Sequence, residues 1–477
     1  MSMPCCRNLF PAVVLFAACL VALPEMVFAA VPDSQKKLTL KEFIELATIN
    51  DTTFETILID QLPLQYRRDA LLPEKDLIAN IKYQHNFYLD QDRNNPDATL
   101  SLSKLFLSSA TDVSVSYNKA SSSLTTTDES SLQLLISQPI AKNAFGKGIE
   151  LQDMIIGIEN DVSRYQIIEA YEDYLASLTT AYYSWYSAYE DLRVGRASYK
   201  SSQKLLENIL DRQRQKIALP IDVNKMKLLL IAKNENLIIL QSIYDEVSNL
   251  IFKAIRYRDD SAYIPVEPDK PASDVEFERD YEIFTRSSRT YQVLNLLENQ
   301  GTLQVKKTAD DLLPSTNLLL GYRLEGEDWG IRQSDDSFFA GISLSWPIGH
   351  SADNARNRIA KIEYRKTVLS NQNKYEELRT NLKNLYLQIR REQQLIVVAQ
   401  KKIKLAEAIL TDEAENYSYG KVTLNDYLDA VNRVDENRFN YTERMVQLNK
   451  LLLEWLRLTD QLVDERVLEN EAGQYKE

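Results

Sequence analysis

Tyr417-Ser418-Tyr419-Gly420-Lys421-Val422-Thr423-Leu424-Asn425-Asp426-Tyr427-Leu428-Asp429-Ala430 has the composition of a turn between two helices. Gly420 lacks a Cβ and can end a helix by taking a positive φ. Asn425-Asp426-Tyr427 then opens a segment whose apolar residues recur at heptad spacing: Val431, Val434, Tyr441, Met445, Leu448, Leu452 and Trp455. A counterpart lies 204 residues earlier, where Ile221-Asp222-Val223 opens the series Val223, Met226, Leu230, Leu237, Leu240, Tyr244, Val247 and Ile251. A period of 3.5 keeps one stripe facing a partner helix, so both segments read as coiled-coil seams.

The duplication extends upstream. Leu71-Leu72-Pro73 and Leu312-Leu313-Pro314 each close a helix-like segment and precede alternating sequence, and their prolines are 241 residues apart. The first copy therefore carries 37 residues more than the second. No proline occurs from Ile140 to Leu219 or from Ile348 to the C-terminus, and the whole chain has only 12 glycines and 14 prolines. Helices of about 70 residues fit these stretches, each roughly 105 Å long at 1.5 Å per residue. A rod of that length cannot wrap a compact core and must pack lengthwise on other helices.

The intervening segments have period 2. Val113, Val115 and Tyr117 alternate with Ser114, Ser116 and Asn118, and Leu132, Leu134 and Ile136 with Gln133 and Ser137. In the second copy Leu318, Leu320, Tyr322 and Leu324 alternate with Asn317, Gly321, Arg323 and Glu325, and Ile342, Leu344 and Trp346 with Ser343 and Ser345. Strands with one apolar and one polar face suit a membrane barrel, whose outside meets lipid and whose inside meets water. Two hairpins cannot close a barrel, and an open edge cannot face lipid, so several copies must contribute. The 37-residue excess can supply a further hairpin, with Ile81, Tyr83, His85 and Phe87 on one face and Ala98, Leu100 and Leu102 on the returning strand.

This gives an α+β membrane protein with two internal repeats. Residues 1–29 read as a signal peptide, with Arg7, an apolar run from Leu9 to Leu23 and cleavage after Ala29. Phe16-Ala17-Ala18-Cys19 also permits a lipoprotein reading. The first repeat occupies 30–256, with strands at about 79–139, a long helix at about 149–217 and a helix at about 221–256. A linker at 257–278 holds Pro265, Pro268 and Pro271. The second repeat occupies 279–461, with strands at about 315–347, a long helix at about 352–419 and a helix at about 423–460; an acidic tail follows at 462–477. After Ala30 no apolar run approaches the 18 residues of a membrane-spanning helix.

Composition narrows the chemistry. With 56 basic and 69 acidic residues the net charge is -13, unsuited to a nucleic-acid partner. The three cysteines all fall at or before Cys19, and the two histidines, His85 and His350, form no ligand constellation. Neither a phosphate loop nor a nucleophile elbow is present, so no enzyme activity, cofactor or metal is expected. Eight aromatic residues between Tyr165 and Tyr189 crowd one long helix and read as a seam between helices rather than a ligand site.

From Tyr417 to Ala430 the chain resembles the signature of the outer-membrane efflux proteins, the TolC-like channels of tripartite export systems. Ser137-Gln138-Pro139, Trp346-Pro347, the two Leu-Pro pairs and Leu38-Thr39-Leu40 are weaker matches. The resemblance implies a homotrimer in which four strands per protomer, or more if the extra hairpin spans, build a β-barrel continued by a long antiparallel coiled-coil helical barrel in the periplasm. It implies a passive, gated exit duct for efflux or type I secretion, in the outer membrane of a Gram-negative bacterium, working with a periplasmic adaptor and an inner-membrane transporter. Asp426 and Asp429 would then ring the periplasmic entrance, and Tyr417 with Asp222 would help to close it. Both entrance acids also stand in the first turn of a helix, where the dipole favours them, and Asp222 also suits a helix N-cap. Lys216 occupies the place of Gly420 in the first repeat, followed by Pro220, which predicts a first tip turn of different backbone shape. A periplasmic coiled-coil scaffold without a pore is the alternative.

Overall fold

The computed structural model describes residues 36–88, 93–120, 129–257, 263–269, 275–327, 329–331 and 336–463. The expected leader with Cys19, the tail beyond residue 463 and much of the linker lie outside the described residues.

The described residues open with strand β1 (Lys36–Leu38) and helices α1 (Leu40–Asn50), α2 (Thr52–Ile59) and α3 (Leu64–Leu71). Thr39 and Glu42 start α1 with a reciprocal capping box. Four strands follow: β2 (Ile78–Tyr88), β3 (Arg93–Phe106), β4 (Thr111–Ala120) and β5 (Glu129–Pro139). Helix α4 (Lys147–Arg214) turns back through α5 (Pro220–Ala254). Strand β6 (Tyr263–Pro265) leads to α6 (Phe277–Ser287) and α7 (Arg289–Asp310), then β7 (Ser315–Glu327) and β8 (Asp336–Ser345). Helices α8 (Ser351–Ser418) and α9 (Leu424–Leu458) complete the second unit.

The long helices have 68 residues each and the returning helices 35 each. At 1.5 Å per residue α4 and α8 are rods of about 100 Å. Each packs along its returning helix, and α4 also lies against α7 and α9. The heptad residues explain this: Val223, Met226, Leu237 and Ile251 of α5 are buried, as are Val434, Leu448, Leu452 and Trp455 of α9.

Among the described residues the sheet has six strands in the order β2-β3-β4-β5-β7-β8, every neighbouring pair antiparallel. The sheet thus has two strands beyond four, as the expected further hairpin allows. The additional pair, β2 and β3, comes from the longer first repeat. Its register makes one face apolar from edge to edge: Ala79, Leu102, Val115, Leu134, Tyr322 and Phe338 form one row across the sheet. The opposite face carries the row Asn80, Ser101, Ser116, Gln133, Arg323 and Ser337. Among the described residues no helix is long and apolar enough to cross a membrane.

Midway along the rods the crowded aromatics of α4 form the largest core. Tyr171, Tyr174, Tyr182, Tyr183 and Trp185 are buried there with Phe43, Ile251 and Phe252. Trp185 donates to the Ser248 hydroxyl at 2.9 Å. Tyr182 donates towards the carbonyls of Leu38 (2.7 Å) and Val266 (2.8 Å), tying down the parallel pair β1 and β6. These aromatic residues are core, and Tyr182 and Trp185 have their polar ends satisfied.

Candidate functional site: the helical tip

The ends of both helical hairpins meet in one cluster, in which Ile209, Ala218, Val223, Met226, Leu424 and Leu428 are buried with Tyr417 and Tyr427 against them. The two turns have the same backbone form. Lys216 has φ 60° and Gly420 φ 71°. Lys216 N–H bonds the Gln213 carbonyl at 2.9 Å and Ile217 N–H that of Arg212 at 2.8 Å. The equivalent bonds of Gly420 to Tyr417 (3.1 Å) and Lys421 to Asn416 (3.0 Å) complete the second turn. Both are Schellman closures. The expectation that Lys216 and Pro220 give the first turn another shape is thus corrected: the paired bonds hold a lysine in the left-handed region despite its Cβ. Pro220 occupies the first helical turn, where its missing N–H costs no intrahelical bond.

Both acids at helix starts act as caps. Thr423 and Asp426 form a capping box: the Asp426 carboxylate accepts from the Thr423 N–H (3.0 Å) and hydroxyl (2.7 Å), and Asp426 N–H donates to the Thr423 hydroxyl (3.4 Å). The Thr423 hydroxyl and then its N–H hold the exposed Asp426 carboxyl below its ordinary range, so it keeps its negative charge. Asp222 accepts from Leu219 N–H at 3.1 Å in the matching position. Leu219 has no hydroxyl to complete a box. Asp429 is exposed one helical turn beyond Asp426.

Tyr417 is half-buried, stacked on Tyr427 with ring centroids 5.7 Å apart, and the Arg212 guanidinium lies 4.8 Å over its ring. Burial pushes its phenol up, Arg212 opposes this, and nearby Asp222 adds to the rise. The tip thus brings Tyr417 and Asp222 close enough to interact electrostatically. Among the described residues no hydrogen bond joins them. Arg212, absent from the sequence expectations, meets the Tyr417 ring together with Tyr427.

A second polar cluster also escaped the sequence reading. Arg289, only 2% exposed, begins α7 and lies among Glu169 and Glu172 of α4 and Asp460 just beyond α9. Asp460 accepts from Arg289 N–H at 2.7 Å and from its guanidinium at 3.1 Å. Burial pushes the Glu172 carboxyl up to about 7, against the opposing pull of Arg289. The three carboxylates lie close enough together to suggest a metal site, but the guanidinium already meets their charge. The four residues are spread from position 169 to 460, so no local spacing announces them.

No protein family model matches the chain, and no curated protein sequence matches it. Solved structures do. The outer-membrane channel OprN is similar at a TM-score of 0.67 and 14% identity, over 88% of this chain and 89% of that one. The outer membrane protein VceC from Vibrio cholerae has the same score and identity, over 88% and 95%. The Campylobacter jejuni CmeC outer membrane channel follows at 0.64 and 14%, over 91% and 89%. The chain shares the fold of these outer-membrane channels.

Proposed function

We propose that this protein is the outer-membrane exit duct of a tripartite efflux or type I secretion system. It acts as a homotrimer, conducting substrate passively from an inner-membrane transporter joined to it by a periplasmic adaptor. The observation that carries the proposal is the two-faced sheet, apolar on one side and polar on the other, continuing directly into paired rods of about 100 Å. That combination suits a lipid-embedded barrel with a tunnel across the periplasm of a Gram-negative cell. A periplasmic scaffold has no use for the apolar belt.

Trimer assembly is supported by the outer face of α5, where Leu228, Ile231, Ile238, Ile239, Ile243 and Leu250 are exposed along one side of the helix. An apolar stripe of this length is what a neighbouring copy would cover. Asp426 and Asp429 of three copies give six carboxylates at the narrow end, a ring that attracts cations. Tyr417, Asp222 and the turns at Gly420, Lys216 and Pro220 set how tightly that end closes.

Planar-bilayer conductance tests this with the mature protein beside an Asp426→Asn, Asp429→Asn variant, with and without a trivalent cation. Asparagine leaves an acceptor for Thr423 N–H and removes the charge. Discrete channels blocked by the cation, with block lost in the variant, are expected. Unchanged block moves the constriction elsewhere. Absence of channels from a verified membrane-inserted oligomer, or release of the protein without detergent, defeats the duct.

A further inference from the structure

We infer that the strand pair β2–β3 is the seam-forming hairpin of the assembly: the free edge of β2 pairs with the free edge of β8 in a second copy, and three copies close an 18-stranded barrel. The inference rests on the proposed trimeric outer-membrane duct and departs from the four strands per protomer of the family that the tip resembles.

Three observations carry it. The first is that β2–β3 is an integral part of the sheet. Strand β3 pairs with β4 continuously from Ala98↔Lys119 to Phe106↔Thr111. The turn between them, Leu107–Ala110, is clamped against the start of α4. Gln138 donates to the Ser109 carbonyl at 2.9 Å, and a Cβ on Gly146 would meet the Ser108 carbonyl at 2.8 Å. The added hairpin is therefore fixed in the plane of its neighbours.

The second is that the apolar belt runs to both edges and is least covered there. Ile81, Tyr83 and Phe87 of β2 and Phe338, Ile342 and Leu344 of β8 are 64 to 81% exposed. On the inner strands Leu100, Leu102, Val115 and Leu134 of the same face are 39 to 45% exposed, because each has a neighbouring strand on both sides. The missing cover at the two edges is a strand's worth.

The third is that the edges complement each other. Strand β2 leaves the helical end and β8 returns to it, so β8 of one copy beside β2 of the next is antiparallel, the sense of every other pair in the sheet. Their lengths are 11 and 10 residues, the span of a tilted strand across a bilayer. An unpaired edge in lipid leaves backbone N–H and C=O groups without partners, which a closed barrel avoids. A barrel's diameter grows roughly linearly with strand number, so 18 strands give an exit about 1.5 times as wide as 12.

Cysteine pairs test the seam in membranes. One cysteine replaces Ile81, Tyr83 or Phe87 and the other replaces Phe338, Ala340 or Ile342, in a background with the three native N-terminal cysteines removed. Oxidation is expected to convert at least one pair into a covalent trimer on a non-reducing gel, while pairs joining β8 to Val115 or Tyr117 of β4 give none. Covalent trimers through β4, or a covalent dimer as the largest species, overturn the seam. Strand counting by electron cryo-microscopy of the unsubstituted assembly is independent of the variants: 18 is expected, and 12 overturns it. Fractionation of the same samples separates the two levels of inference. An inserted trimer without β2 cross-links defeats only the seam, whereas a detergent-free soluble protein defeats the duct as well.

Discussion

The two repeats agree to the residue in their long and returning helices and disagree in their strands. Both rods have 68 residues and both returning helices 35, yet the first repeat gives four strands to the sheet and the second gives two. The difference teaches where this architecture is constrained. The rods are fixed at both ends, by the sheet above and the shared tip cluster below, so neither can change length alone. The sheet grows laterally, and an added antiparallel hairpin enters and leaves it on the same side.

The corners between the short helices sharpen that contrast. Between α6 and α7 the chain is held by Arg289 and its three carboxylates. Between α1 and α2 the Tyr174 hydroxyl donates to Asp51 at 3.1 Å. Arg289→Ala leaves buried carboxylates without their cation and is expected to lower stability by about 3–5 kcal/mol. Tyr174→Phe removes one hydrogen bond to a charged group and is expected to cost about 1.5–3 kcal/mol. Thermal unfolding of the two variants measures the ratio; equal losses would break the contrast.

The same corner sets a pH dependence. Burial raises the folded Glu172 carboxyl from 4.5 to about 7. Between those values the folded chain holds a proton that the unfolded chain has released. Its stabilising contribution is complete below the unfolded value and is lost as pH rises through about 7, with a slope of at most about 1.4 kcal/mol per pH unit. Unfolding curves across this range are expected to show the decline, and Glu172→Gln is expected to flatten it.

At the tip the repeats differ by side chain alone. Nothing lies within 4 Å of a Cβ built on Gly420, so Gly420→Lys meets only the torsional cost of the left-handed region, about 1–2 kcal/mol. Lys216→Gly relieves a cost of the same kind, reduced by the greater freedom of glycine in the unfolded chain, and is expected to stabilise by under about 1 kcal/mol. Opposite signs in thermal denaturation support two turns of one shape. A loss from Lys216→Gly would show that the lysine side chain itself holds the first turn.

Much of this was legible in the sequence because its signals are local. Period 2 marked Val113 to Tyr117 and Ile342 to Trp346, the heptads marked α5 and α9, and Tyr417 to Ala430 marked the turn between the rods. The shape of the first tip turn was not legible. A lysine rarely adopts positive φ, and the bonds from Lys216 and Ile217 that enforce it become visible only when the hairpin is closed. In the sequence Asp426 fits both a helix-start acid and an entrance acid. The capping geometry shows one of them and leaves its charge in place, so a cap can still contribute to a cation ring. The Arg289 cluster had no sequence signature because its members meet only through the packing of α4 against α7 and α9.

The matched rods also govern which length changes such a chain can absorb. Deleting one residue from α4 would retract its tip by about 1.5 Å and rotate the rest of that helix by about 100° against the unshortened α8. Length changes in the rods are tolerable only when copied into both halves, which makes the pair a gauge of length. A hairpin inserted into the sheet needs no twin, so the sheet can be widened while the gauge stays untouched.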